Sequence, residues 1–176
     1  REHSICYKLK QSPNTKKLIC IPGNAGTKEL AENINIDIKN FNEILDALKT
    51  HKIDLVIIGP EEPLVNGIVD FLEKEGIRVF GPDKFASQLE GSKAFMKNLC
   101  KENNIPTAKF GIFEDYHSAI NFLEQNKTPI VVKADGLAAG KGVSICKSQD
   151  EAKEKIKEII SGKFKSSKKV VLEEFL

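Results

Sequence analysis

Short unbroken apolar runs alternate, along the first half of the chain, with stretches whose apolar residues recur at helical spacing. Ile5, Cys6 and Leu9 give such spacing within Arg1 to Gln11. Lys17 to Ile21 reads as a short strand that ends in the turn Pro22-Gly23-Asn24-Ala25-Gly26-Thr27, and Ile34 to Ile38 reads as a second. Phe41, Ile44, Leu45 and Leu48 share one helical face, with Asn40 and Glu43 as its start signal. Ile53 to Ile58 is apolar almost throughout, which predicts a strand buried on both faces, and it stops at Gly59-Pro60-Glu61-Glu62-Pro63. Leu64, Val65, Ile68, Val69 and Leu72 line one further helix, and Gly76 to Phe80 forms the next strand. Strands alternating with amphipathic helices predict an open, doubly wound parallel α/β sheet. Ligands of such sheets sit beyond the carboxyl ends of strands, where the loops at 22–27 and 59–63 fall.

After residue 91 the rhythm changes to that of a small mixed unit. Ser92 to Asn103 reads as a helix closed by Asn104-Ile105-Pro106, Ala108 to Phe113 as a strand, and Tyr116, Ala119, Ile120 and Leu123 as a helical face. Ser148 and Glu151 form a capping box for a helix carrying Ala152, Ile156, Ile159 and Ile160. Ser161 to Lys169 is polar and lysine-rich, a solvated turn, and Val170 to Leu176 is a final strand. The first helix has no strand or cap ahead of it and the last strand reaches the final residue, as expected of a piece of a longer chain.

The most informative stretch is Pro129 to Val143. A buried strand, Ile130 to Val132, delivers Lys133, and Ala134-Asp135-Gly136-Leu137-Ala138-Ala139-Gly140-Lys141-Gly142 leads into a second β-branched run. Glycines leave backbone N–H groups unshielded, so the loop suits close approach to an anion, with two lysines adding charge. It is no P-loop: three residues rather than four separate Gly136 from Gly140, Gly142 stands where Ser or Thr is needed, and a strand follows instead of a helix. The loop alone also fits a glycine-rich hairpin with two solvated lysines.

Composition narrows the class. Of 176 residues, 40% are hydrophobic and 30% charged, the balance of a globular protein. A net charge of +2, with lysines spread among acids, argues against a nucleic-acid surface. Cys6, Cys20, Cys100 and Cys146 show no metal-ligand spacing and read as reduced thiols of a cytoplasmic chain. No run approaches a membrane span and Arg1-Glu2-His3 opens no signal peptide.

Four motifs in order, Pro22-Gly-Asn-Ala-Gly-Thr27, Gly59-Pro-Glu-Glu-Pro-Leu64, Lys133 to Val143 and Glu173-Glu-Phe-Leu176, resemble the phosphoribosylamine-glycine ligase (glycinamide ribonucleotide synthetase) family, ATP-grasp enzymes of purine biosynthesis. The resemblance covers essentially the whole chain. It implies an α/β fold: a Rossmann-like parallel pre-ATP-grasp domain over 1–91, whose first strand would precede Arg1, then a linking helix and strand over 92–113. An incomplete ATP-grasp (α+β) small subdomain over 114–176 carries the lid. The implied reaction joins glycine to 5-phosphoribosylamine through glycyl phosphate, consuming ATP with Mg2+, the metal ligands falling after Leu176.

By the same resemblance, ATP would meet Lys93, Lys133, Asp135, Gly136, Leu137, Ala138, Ala139, Gly140, Lys141 and Gly142. Glu173, Glu174, Phe175 and Leu176 would form the adenine pocket, with Val171 and Leu172 as its wall. Arg1, Glu2, His3, Asn24, Gly26, Thr27, Glu62, Pro63 and Leu64 would line the phosphoribosylamine pocket. No catalytic residue or metal ligand is assigned within these residues. Small molecules, not nucleic acid or membrane, are the implied partners. The alternatives are another ATP-grasp carboxylate-amine ligase or carboxylase, and a nucleotide-binding module without turnover.

Overall fold

A computed structural model describes residues 1–138, 140–164 and 168–176. Ala139, a residue of the expected lid, and 165–167, part of the expected solvated turn, lie outside the described residues. The chain divides into two compact units, Arg1–Ser87 and Gln88–Leu176.

The first unit runs α1 (Glu2–Lys10), β1 (Ile19–Cys20), β2 (Glu32–Asn33), α2 (Phe41–Thr50), β3 (Val56–Ile57), α3 (Glu61–Val65), α4 (Ile68–Lys74) and β4 (Val79–Phe80). Its strands are parallel as expected, but they form two separate pairs, β1 with β2 and β3 with β4. The second strand lies at Glu32–Asn33, not at 34–38, because that is where the backbone answers β1: Glu32 N–H donates to Leu18 O and Ile34 N–H to Cys20 O. The single helix expected across 64–72 is two, since Gly67 adopts φ 90 between them, a left-handed turn that an L side chain resists. Asn40 caps α2 as its sequence predicts, its side chain accepting from Glu43 N–H while Glu43 accepts from Asn40 Nδ2. Ile44, Leu45 and Leu48 of α2 and Ile68, Val69 and Leu72 of α4 form the core.

Burial on both faces of 53–58 is not found: Leu55 is 53% exposed. Instead β1 and β3 line one cavity of about 750 Å³, floored by Ile5, Cys6 and Leu9 of α1. Among the described residues neither strand has a ladder partner on its second edge.

The second unit contains α5 (Gln88–Gly91), α6 (Lys93–Glu102), β5 (Phe110–Phe113), α7 (Tyr116–Glu124), β6 (Ile130–Ala134), β7 (Val143–Cys146), α8 (Gln149–Ile160) and β8 (Val170–Glu174). Its antiparallel sheet has the order β5-β8-β6-β7, so the stretch read as a linking strand is an edge of the same sheet as the lysine-bearing strand. Alternation along the strands divides the sheet into two faces. Ile130, Val132, Ala134, Cys146, Val170 and Leu172 pack with Ala119 and Leu123 of α7 and Ala152, Ile156 and Ile159 of α8. Lys133, Val131, Val171 and Glu173 therefore stand on the opposite face, joined through the register by Phe110, Val143 and Ile145. Leu172, expected as adenine wall, is a core residue on the helix side, because the pleat sends it away from its neighbours Val171 and Glu173.

Candidate functional site

The lysine loop is anchored at both ends. Ala134 N–H donates to Gly142 O at 2.7 Å and Lys141 N–H to Ala138 O at 2.9 Å, closing the turn between β6 and β7. A Cβ on Gly142 would lie 2.6 Å from the Cβ of Ala138, so only glycine fits there. Gly140 and Lys141 are exposed, and Gly136, Leu137 and Ala138 are half-buried.

Asp135 and Lys93 tie this loop to α6. Ser92 caps α6 through Phe95 N–H at 3.1 Å, and Asp135 accepts from Ser92 Oγ and from Ala94 N–H, each at 3.1 Å at its Oδ1. Lys93 Nζ donates to Gly136 O at 2.8 Å. Burial holds the Lys93 ammonium below the usual lysine range, with nearby Lys133 adding to that effect and Asp135 opposing it. Both residues expected at the nucleotide thus also fix the base of the loop. Ser92 is a group that sequence reading left aside, although its place before a helical run marks it as a cap.

On the open face of the sheet, Lys133 Nζ lies 2.8 Å from Glu173 Oε1. The other oxygen, Oε2, lies 2.9 Å from Nζ of Lys97, a buried residue of α6. Oε1 itself is buried, and the ammonium of Lys133, though near, makes no well-directed hydrogen bond to it. The two groups form an ion pair by distance, and the orientation leaves a lone pair of Oε1 open. Val143 and Ile145, 46% and 52% exposed, flank Lys133 on this face and offer apolar surface to a flat ligand. From the sequence they only bound the second β-branched run and carry no assigned role; their alternation with Ser144 and Cys146 is the signal that places them. Glu174 turns to the edge instead, Oε1 accepting from Lys109 N–H at 2.9 Å, and Phe175 and Leu176 are exposed beyond the strand.

In the first unit three expected groups meet at the N-terminal turn of α1. Arg1 pairs with Glu61 at 3.0 Å and with Glu2 at 3.1 Å, and those guanidinium contacts, after backbone hydrogen bonding, hold both carboxyls below their ordinary range. A Cβ on Gly26 would lie 3.1 Å from the His3 ring, which brings the 22–27 loop against the same turn. Glu62 pairs with Lys39 at 3.0 Å, Pro63 is buried and Leu64 is half-buried. Thr27 is fully buried: its Oγ accepts from Asn24 N–H at 2.7 Å and donates toward Asn33 Oδ1 at 2.9 Å, and its own N–H donates to Asn24 Oδ1. Thr27 and Asn24 therefore knot the loop, and Thr27 presents no side-chain group to solvent.

Residues 91–176 match the family described as "Phosphoribosylglycinamide synthetase, ATP-grasp (A) domain", so the sheet with its lysine-bearing open face is of the ATP-grasp class. Residues 1–90 match "Phosphoribosylglycinamide synthetase, N domain", and the chain belongs to the phosphoribosylglycinamide synthetase family. A phosphoribosylamine-glycine ligase of Mesorhizobium japonicum is 48% identical over 177 residues, covering 100% of this chain and 42% of that protein. One of Pasteurella multocida is 44% identical over 180 residues, again with 42% of its length covered. The crystal structure of the Thermotoga maritima ligase superposes with a TM-score of 0.76 at 33% identity, over 99% of this chain and 41% of that one. A Hydrogenobacter thermophilus biotin carboxylase domain shares the fold at 20% identity and a TM-score of 0.76. The chain thus spans about 42% of the length of the curated relatives named here.

Proposed function

We propose that this chain supplies the nucleotide clamp and part of the amine-acceptor pocket of a phosphoribosylamine-glycine ligase. The whole protein joins glycine to 5-phosphoribosylamine, giving glycinamide ribonucleotide, ADP and phosphate. The observation that carries the clamp is the open sheet face, where a half-buried Lys133 stands beside a carboxylate oxygen with an unused lone pair and next to uncovered Val143 and Ile145.

A carboxylate is a poor acyl donor until it is phosphorylated, and the protein's part is to position polyanions and offset charge on the transferred phosphoryl group. Lys133 and Lys93 bring ammonium groups toward the phosphates. Backbone N–H groups from Gly136 to Gly142 cover them, and Lys141 adds an exposed point charge. Glu173 accepts from the purine amino group, with the backbone of Glu174, Phe175 and Leu176 at the purine edge. Asp135 acts by holding the loop to α6. Arg1, Glu2, His3, Asn24, Gly26, Glu62, Pro63 and Leu64 line the acceptor pocket, with Thr27 holding its loop. The cavity between β1 and β3 fits the strand that the family places ahead of Arg1.

Magnesium accompanies ATP in this reading, but among the described residues no group of three or more His, Cys, Asp or Glu could hold a metal. Among the described residues no helix is long and apolar enough to cross a membrane. The four free thiols support a reducing, cytoplasmic setting. The test is ADP release by the full-length protein with glycine and 5-phosphoribosylamine: release that needs both supports the reading, and release with bicarbonate in place of glycine overturns it.

A further inference from the structure

Lys97 has no part in the chemistry described above, yet it is the most deeply buried lysine of the second unit, 2% exposed. It lies one turn after Lys93 on α6 and so on the same face of the helix. Its ammonium is 2.9 Å from Glu173 Oε2, 2.7 Å from Thr107 Oγ1 and 3.4 Å from Ala108 O, and 5.4 Å from the centre of the Phe110 ring. Three acceptors match the three N–H donors of an ammonium, so the group is fully occupied and closed to solvent. Burying a cation is costly, and an apolar residue of similar size would be accommodated more easily. A buried lysine is therefore explained best by what it does to its partner.

That partner is Glu173, 5% exposed, whose two oxygens have different neighbours. Oε2 belongs to Lys97, while Oε1 faces Lys133 without a directed hydrogen bond. We propose that Lys97 is a positioning residue for the nucleotide: it holds Glu173 by one oxygen, keeps the other aimed at the open face, and so leaves Lys133 available to a phosphate. Without Lys97 the cation in contact with the buried carboxylate, among the described residues, is Lys133 at 2.8 Å, with Lys93 acting on it from farther off. That existing ion pair then carries most of the neutralisation of Glu173, and a nucleotide must break it before it can bind. With Lys97 present, Lys133 can turn to a phosphate and Glu173 remains paired. The inference rests on the nucleotide-clamp reading.

The test uses the full-length protein and its nucleotide and acceptor KM values. Lys97→Met raises KM for ATP about tenfold, while kcat at saturating ATP and KM for glycine change by less than about twofold. In a Glu173→Gln background the same substitution adds nothing to KM for ATP, because the group through which it acts is neutral. A merely structural lysine would instead change all the constants together and equally in both backgrounds, and that result overturns the proposal. Should Lys97→Met fail to fold, Thr107→Val, which removes one acceptor and keeps the charge, gives a smaller rise confined to KM for ATP; no such rise overturns it as well. Failure of the clamp reading is seen separately, as absence of saturable ATP binding by the unsubstituted protein.

Discussion

Lys133 meets Glu173 diagonally: the register partner of Lys133 on β8 is Val171 and that of Glu173 on β6 is Val131, yet the two side chains close to 2.8 Å along one face. Diagonal neighbours in an antiparallel ladder are within reach of long side chains. Lys133→Ala in the full-length protein is expected to lower ATP-dependent ligation on the order of 100-fold. The fold should persist, since Glu173 keeps Lys97 as its partner. A coupled ADP assay with circular dichroism separates the two outcomes, and undiminished turnover contradicts the assigned role.

Gly142→Ala tests the lid. The added methyl must displace Ala138, 2.6 Å away, from a turn held by two backbone hydrogen bonds. Overpacking of this kind destabilises by about 1–3 kcal/mol, and here the strain falls on the loop. Urea denaturation should show the loss, and calorimetry should show weaker ATP binding; unaltered affinity would separate the loop from the nucleotide.

Asp135→Ala tests the tie between loop and helix. It removes the acceptor of Ala94 N–H and of Ser92 Oγ at the start of α6. A buried donor left without its partner costs about 1–3 kcal/mol. Hydrogen exchange at the first turn of α6 should accelerate, and protection equal to that of the unsubstituted protein would rule the tie out.

Cys146 gives a pH dependence. Burial pushes its thiol up to about 11 from an ordinary 9.0. Between those values the folded state keeps a proton that the unfolded state has released, so stability is full below pH 9 and falls as pH rises, by about 1.4 kcal/mol per pH unit. The difference between the protein and Cys146→Ala in denaturation midpoint should shrink across that window, and a constant difference would contradict the shift.

Helical faces and caps were readable because each is a local property: Asn40, Asp115 and Ser148 all cap the helices that follow them. Asn40 and Ser148 with their acidic partners were anticipated from spacing alone. The strand at 32–33 was not, because two residues carry no period and only pairing with β1 defines them. Lys133 announced itself beside glycines, whereas Lys97 reads as one more helix lysine until Glu173 is brought beside it by a strand far along the chain. Glu174 is also placed by a distant contact: its motif suggests a ligand group, and the fold brings one of its carboxylate oxygens to Lys109 N–H.

The cavity between β1 and β3 has a further consequence. Among the described residues, strand edges without a second ladder partner that face one cavity form a mould for an extended polypeptide. An extended segment lying there would weld the two strand pairs into one continuous sheet.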